Sequence, residues 1–364
     1  MKIIDPFIFI TLINGKFILW DYRNHNQYEI DDDYMKRIKD LVNGDKFTDS
    51  LIDKTIMDSG ILDCDDRNMC NWGWDCLSKI FHIGTQVVLD KNMSLPIDDS
   101  YEGYVNYCAS IVKDIPDLDY QRSGEKFNLP KPNKRFLANS KFIDILFARK
   151  TSREFKIEAV SLQEVAEVLY WTFGTPHGST RTEMEAAGLR SVGYRRTSPS
   201  GGSLQTSEAY LVALNVTGLA SGIYHYHSYK HELTLISTDI DGEKLGSLLC
   251  AQMFVKDIAF GIFITSCFKK MWWKYPHSRA YRVALLDIGC LIQTFQLITT
   301  AMKLGSWPTG YFLDREINKL LDVNEAEEAV LFFLGAGPSS GSPFAPNLLK
   351  TIKQKITTKE KSSK

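Results

Sequence analysis

Near the start of the chain, apolar and polar positions fall in short strand-like runs, and the period lengthens to three or four residues soon after. Residues 7–13 and 16–22 are joined by Asn14-Gly15, a dipeptide that supplies the positive φ angles of a tight hairpin turn. Residues 28–30 predict a third short strand. Residues 31–42 predict a helix with acidic side chains at its start, where the helix dipole favours them. Residues 48–59 predict a second helix that stops at Gly60. Strands followed by short helices on this scale predict a small winged-helix-like unit over 1–62.

The pattern weakens over residues 63–145, an intervening region broken by Pro116, Pro130 and Pro132, in which 121–134 reads as a polar linker. It sharpens again from 146. Ser161-Leu162-Gln163-Glu164 has the spacing of a capping box, and Val165, Ala166, Val168 and Leu169 follow at helical intervals before Gly174. Residues 209–216, 258–267 and 329–334 read as buried strands, and 222–236 as a hairpin turning at 228–230. Residues 281–303 predict a helix whose Ala284, Ile288, Leu291, Phe295 face is apolar, and Leu286, Cys290 and Leu297 extend that character around it. Such a helix is expected to be buried, centrally or against another subunit. The last fifteen residues carry six lysines and one acid, so 341–364 is expected to be a basic, mobile tail. The order of elements predicts an α+β fold, a mixed sheet flanked by helices over 146–340.

Composition narrows the function classes. The chain has 364 residues, 44% of them hydrophobic, enough for two domains or one with an extension. Lysine plus arginine total 43 against 44 acids, a balance that gives no general attraction to nucleic acid or membrane. The first unit is rich in aspartate and has no basic recognition helix, which speaks against DNA. No run reaches the roughly 18 apolar residues of a membrane span, and the apolar start lacks a basic leader, so a cytoplasmic location is expected. Seven cysteines, an odd count, fit a reducing compartment. Cys64, Cys70, Cys76 and His82 recur every six residues and not at the two-to-four spacing of a zinc site, so no metal is expected; they read as small thiols packing beside Trp72 and Trp74.

Three separated segments carry candidate chemistry. Arg149-Lys150-Thr151-Ser152-Arg153 places two guanidiniums and two hydroxyls together, which suits a phosphate and equally describes a solvated basic turn. Arg196-Thr197-Ser198-Pro199-Ser200-Gly201-Gly202-Ser203 runs into a buried strand. Its glycines let backbone N–H groups approach a ligand, yet it is neither a Walker loop nor a dinucleotide fingerprint, and a plain loop is the alternative. Lys274-Tyr275-Pro276-His277-Ser278-Arg279-Ala280-Tyr281-Arg282 crowds ionisable groups at the mouth of the apolar helix, as sites do.

In this order the segments resemble the nitroreductase superfamily, and within it the SagB-type dehydrogenases, flavin-dependent azoline oxidases of thiazole/oxazole-modified peptide pathways. The likeness runs from about Phe147 to Gly337. Arg149 to Phe155 resembles the first flavin-phosphate motif; Pro199-Ser200-Gly201-Gly202-Ser203 resembles the Pro-Ser-Ala-Gly-Ala loop; Gly222-Ile223-Tyr224-His225-Tyr226 resembles the Gly-Leu-Tyr-His-Tyr hairpin; Lys274-Tyr275 resembles the pair that carries the oxidation. The chain departs from the family at Pro276-His277-Ser278, at Asp287-Ile288-Gly289-Cys290 and at Gln205-Thr206-Ser207, all near the expected substrate side. The first unit resembles, more loosely, the peptide-clamp domains that hold leader peptides.

The resemblance implies FMN as cofactor. Arg149, Thr151 and Arg153 would bind its phosphate. Pro199, Ser200, Gly201, Gly202 and Ser203 would approach the ribityl chain or ring from a second subunit of a homodimer. Arg196 and Gln252 would donate to the ring carbonyls, and the segment of Pro308, Thr309 and Gly310 would reach N5. Lys274 or Tyr275 would take the substrate proton. The implied partners are a peptide substrate and a cyclodehydratase. Two other readings share parts of this pattern: an NAD(P)H-dependent nitro or quinone reductase, which needs no Lys274-Tyr275 pair, and a non-catalytic leader-peptide scaffold, which needs no phosphate cradle.

Overall fold

The structure is a computed structural model that describes residues 7–62, 72–87, 99–117, 119–178, 186 and 195–362. Cys64 and Cys70 lie outside the described residues. The chain divides into two compact units, Met1–Ser100 and Tyr101–Lys364.

The first unit is an antiparallel meander, β1 (Ile8–Ile13), β2 (Lys16–Asp21) and β3 (Asn26–Ile30), followed by helices α1 (Asp32–Val42), α2 (Leu51–Ser59) and α3 (Cys76–Gly84). Asp31 and Ser50 cap α1 and α2 through the N–H groups of Tyr34 and Asp53, and Gly60 closes α2 in the left-handed conformation. Leu19, Ile38, Leu41, Ile56, Ile61 and Leu62 form its core. Asp53 is buried and accepts from Arg37 at 2.6 and 2.7 Å, and this guanidinium holds its carboxyl well below the usual carboxylate range. Ile83 packs with Phe7 and Tyr22, so the unit extends past residue 62, the boundary expected from patterning.

The second unit starts within α4 (Asp99–Ile111) and continues through β4 (Lys126–Asn128), α5 (Arg135–Ala138), α6 (Phe142–Ala148), β5 (Val160–Ser161) and α7 (Leu162–Phe173). Next come β6 (Ser207–Ala213), β7 (Val216–Thr217), β8 (Gly222–His227), β9 (Glu232–Ser237) and α8 (Gly242–Leu248). The rest is β10 (Phe260–Cys267), α9 (Phe268–Lys274), α10 (Arg279–Ala301), β11 (Gly305–Thr309), α11 (Asp314–Leu320), β12 (Glu328–Gly337) and α12 (Pro346–Ser362). Seven strands form one sheet in the order β11-β12-β10-β6-β8-β9-β4, antiparallel at every neighbouring pair. Parallel pairing occurs in β5/β7 and at the Thr151–Ser306 bridge.

Strands β6 and β10 are buried along their whole length, because both faces of the sheet are covered. On one face Leu211 and Ile262 meet Val165 and Leu169 of α7 and Phe295 of α10. On the other, Tyr210, Phe263 and Phe333 meet Trp307, Leu245 and Ile317. The capping box forms as expected, with Ser161 and Glu164 exchanging hydrogen bonds at the start of α7.

The basic tail carries a helix: in α12, Leu348, Leu349, Ile352 and Ile356 recur at helical spacing among the lysines, and Pro346 stands first. Helix α10 is not covered all round within this chain. Ala284, Ile288, Leu291 and Phe295 enter the core, whereas Leu286 is 68% exposed and Tyr281 and Leu285 are also open. It is long and apolar enough to cross a membrane, yet it buries Asp287 and Gln296 inside the folded unit. Phe142, Ile143, Leu146 and Phe147 of neighbouring α6 are exposed too.

Candidate functional site

The basic turn is built onto β11. Ser152 N–H donates to the Ser306 carbonyl at 2.9 Å, and Arg153 N–H donates to Ser342 at 2.8 Å. Gly305 allows the approach, since a Cβ there would meet Ser339 Oγ and Ser152 Oγ at 2.3 and 2.9 Å. Arg153 Nη1 donates to the Pro343 carbonyl at 2.8 Å. Neither Arg149 nor Arg153 has a carboxylate partner among the described residues, so two guanidiniums stand uncompensated beside Thr151. Pro308 and Thr309 end β11 and Gly310 follows; Tyr311 N–H donates back to Thr309 Oγ1. Gln252 lies against the same segment, its Nε2 donating to the carbonyls of Leu249 (2.8 Å) and Tyr311 (3.1 Å). That amide nitrogen is therefore occupied within this chain.

The glycine loop is built onto α10. Ser200 Oγ donates to Asp287 Oδ2 at 2.7 Å, and Gly201 N–H donates to Oδ1 at 3.0 Å. Burial pushes the Asp287 carboxyl up, and these two hydrogen bonds hold it back. Gly202 has φ +59°, and a Cβ on it would stand 2.6 Å from the Tyr275 hydroxyl, so a side chain here would be strained and would push the phenol aside. Ser203 and Gln205 also take positive φ, 59° and 51°. The loop thus carries backbone strain of a kind concentrated at ligand sites.

Lys274 ends α9 and Tyr275 follows it. Burial raises the Tyr275 phenol, with the adjacent Lys274 charge opposing. Between α9 and α10 lies a cavity of about 480 Å³, walled by Phe268, Met271, Trp272, Tyr275 and Tyr281, with His277 and Ser278 among its polar groups.

Three further features were not singled out by sequence reasoning. Asp287, noted only as a departure from a motif, is the anchor of the glycine loop. Lys270, one helical turn before Lys274, is buried and ion-paired with Glu208 at 2.6 Å; His225 Nε2 lies 3.3 Å from the other Glu208 oxygen. Burial alone would raise the Glu208 carboxyl, but Lys270 and His225 bring it down to about 2. Tyrosines of α4 form the third, described below. The tyrosine spacing at 101, 104 and 107 was the available signal for α4; no local signal links Lys270 to Glu208, 62 residues apart. Arg196 is buried beside this cluster, donating Nη1 to the Ser207 carbonyl at 2.9 Å, and burial pushes its guanidinium pKa down.

Within one chain, then, the structure gathers Arg149, Thr151, Arg153, Pro308, Thr309, Gly310 and Gln252 around β11. It gathers Ser200, Gly201, Gly202, Ser203 and Tyr275 around α9 and α10. Arg196 joins the buried charges behind the loop and not the basic turn. Each group has its own support.

Residues 146–337 match the nitroreductase family, and the chain belongs to it. Protein MJ1384 of Methanocaldococcus jannaschii, grouped by name with the nitroreductases, is 25% identical over 185 residues, 51% of this chain and 86% of that one. Trifolitoxin operon protein TfxC of Rhizobium leguminosarum bv. trifolii is 23% identical over 222 residues, 60% of each chain. A crystal structure from Anabaena variabilis ATCC 29413, also grouped by name with the nitroreductases, has a TM-score of 0.52 at 22% identity and covers 72% of this chain. The present chain spans 47% of that protein and 60% of TfxC. Family membership makes the protein an oxidoreductase. The residues fit the FMN that this family uses: uncompensated arginines suit a phosphate, the glycine loop leaves room for close approach, and the Nε of buried Arg196 has no partner.

Proposed function

We propose that the protein is an FMN-dependent dehydrogenase of a modified peptide, converting an azoline ring to an azole, and that it works as a homodimer. The observation that carries this reading is the seating of Tyr275, next to Lys274, against Gly202 of the glycine loop. FMN, when bound, supplies the acceptor for the two electrons that leave the substrate with a hydride. Arg149, Thr151 and Arg153 would bind its phosphate, and the loop held by Asp287 would approach its ring or ribityl chain. Lys274 or Tyr275 takes the proton from the atom next to the one that loses hydride. General-base help of this kind is worth about 10²–10⁴-fold.

The exposed apolar residues of α6 and α10 support the homodimer, since obligate interfaces resemble a core cut in two. In the first unit, β3 is an edge strand beside a cavity of about 210 Å³ lined by Tyr28, Ile30, Tyr34, Ile38, Ile56 and Ile61. An extended leader peptide adding to β3 with an apolar side chain in this cavity is the binding mode we assign to it. A cyclodehydratase that makes azolines is the matching partner enzyme, and a cytoplasmic setting suits the chemistry. Kinship with a trifolitoxin operon protein agrees with a role in such a pathway.

The test is anaerobic flavin reduction by a heterocycle-bearing peptide and by NADPH, in the wild type, Lys274→Ala and Tyr275→Phe. The expected result is reduction by peptide that both variants lose while keeping the flavin spectrum. Fast reduction by NADPH and none by peptide would establish a nitro or quinone reductase instead.

A further inference from the structure

The helix that reaches the Lys274–Tyr275 pair comes from a stretch that patterning left without a role. Tyr107 of α4 donates its hydroxyl to the Lys274 carbonyl at 2.8 Å, and Trp273 Nε1 donates to the Ile111 carbonyl at 3.0 Å. These bonds fix the end of α4 to the last turn of α9. Tyr104 is thereby brought to the pair: its ring centroid lies 5.7 Å from Lys274 Nζ, the same distance as that of the Tyr275 ring. Burial raises the Tyr275 phenol, and the neighbouring Tyr104 adds to the rise. Ring faces attract an ammonium through their quadrupole, and a phenol tied at its oxygen keeps one direction.

We infer that Tyr104 is a positioning residue for the pair: its ring and that of Tyr275 form a cleft for the Lys274 ammonium, and its oxygen fixes the direction of the Tyr275 hydroxyl. The inference rests on the roles proposed above for Lys274 and Tyr275. Gly202 seats the tyrosine on one side, and Tyr104 restrains it through its hydroxyl. Tyr104 is 48% exposed, so it fills no core and Tyr104→Phe is expected to fold.

The test uses the full-length, flavin-loaded protein. Tyr104→Phe is expected to lower kcat for peptide oxidation roughly five- to tenfold, the worth of one net hydrogen bond, with KM unchanged. A second readout needs no turnover: the rate at which trinitrobenzenesulfonate modifies Lys274, followed by mass spectrometry. Tyr104→Leu, which removes ring and hydroxyl, is expected to raise it severalfold. An unchanged kcat in Tyr104→Phe, or an unchanged modification rate in Tyr104→Leu, would overturn the assignment. If Lys274→Ala and Tyr275→Phe oxidise peptide like the wild type, the functional reading fails, and the modification rate alone decides the placement of Tyr104.

Discussion

Replacing Lys270 by methionine isolates the buried charge cluster behind the glycine loop. The side chain keeps its volume and loses its ammonium, so Glu208 stays buried with only His225 and Arg196 near it. Removing one partner of a buried ion pair costs about 3–5 kcal/mol, far more than an exposed pair, because the remaining charge is unsolvated. A drop in Tm on the order of 10 °C should follow. The sign of the pH dependence follows from the direction of the shift. In the wild type the Glu208 carboxyl sits at about 2, below its ordinary 4.5, so its stabilisation is complete above about 4.5 and is lost as pH falls toward about 2. In Lys270→Met, burial dominates and raises the carboxyl, so the same acidification stabilises the variant relative to wild type. Thermal unfolding from pH 2 to 7, followed by circular dichroism with saturating FMN, measures both effects. The double variant Lys270→Met/Glu208→Leu should regain much of the loss, since an apolar replacement of both partners is often neutral. A loss below about 1 kcal/mol at pH 7, or parallel pH curves for wild type and Lys270→Met, would refute this account of the cluster.

Arg153→Ala should weaken FMN retention by roughly 1.5–3 kcal/mol, the worth of a charge-assisted contact, read by fluorescence titration of the apoprotein. If the proposed homodimer forms through the open face of α10, Leu286→Glu should give a monomer in light scattering where the wild type gives a dimer, with the secondary structure unchanged. Tyr34→Ala, in the wall of the cavity beside β3, should raise KM for a leader-bearing peptide and leave flavin content unchanged.

Much of the fold was legible because its signals are local. Asn14-Gly15 takes the positive φ angles of its turn, Ser161 and Glu164 form their box, and the long apolar pattern places α10 within two residues of its observed ends. Helix α4 escaped notice because Gly103 and polar neighbours dilute its pattern, although its tyrosines share a face. Helix α9 escaped because its seven residues include three lysines, two of which are buried for reasons lying elsewhere in the chain. Lys270 answers to Glu208 on β6, and no window centred on either residue contains the other. Helix α12 escaped because its charge masked the three-to-four spacing of its leucines and isoleucines. For the site, the segments were found by their residue types, but which of them share a frame was not visible. The basic turn belongs with β11 and the glycine loop with α10, and only the strand order reveals it.

The seat of Tyr275 against Gly202 has a consequence for substitutions at either position. A methyl group at 202 would stand 2.6 Å from the phenol oxygen unless the phenol moved. Positions 202 and 275, 73 residues apart, therefore act as neighbours, and a side chain added at 202 acts on the reach of the tyrosine as a change at 275 itself would.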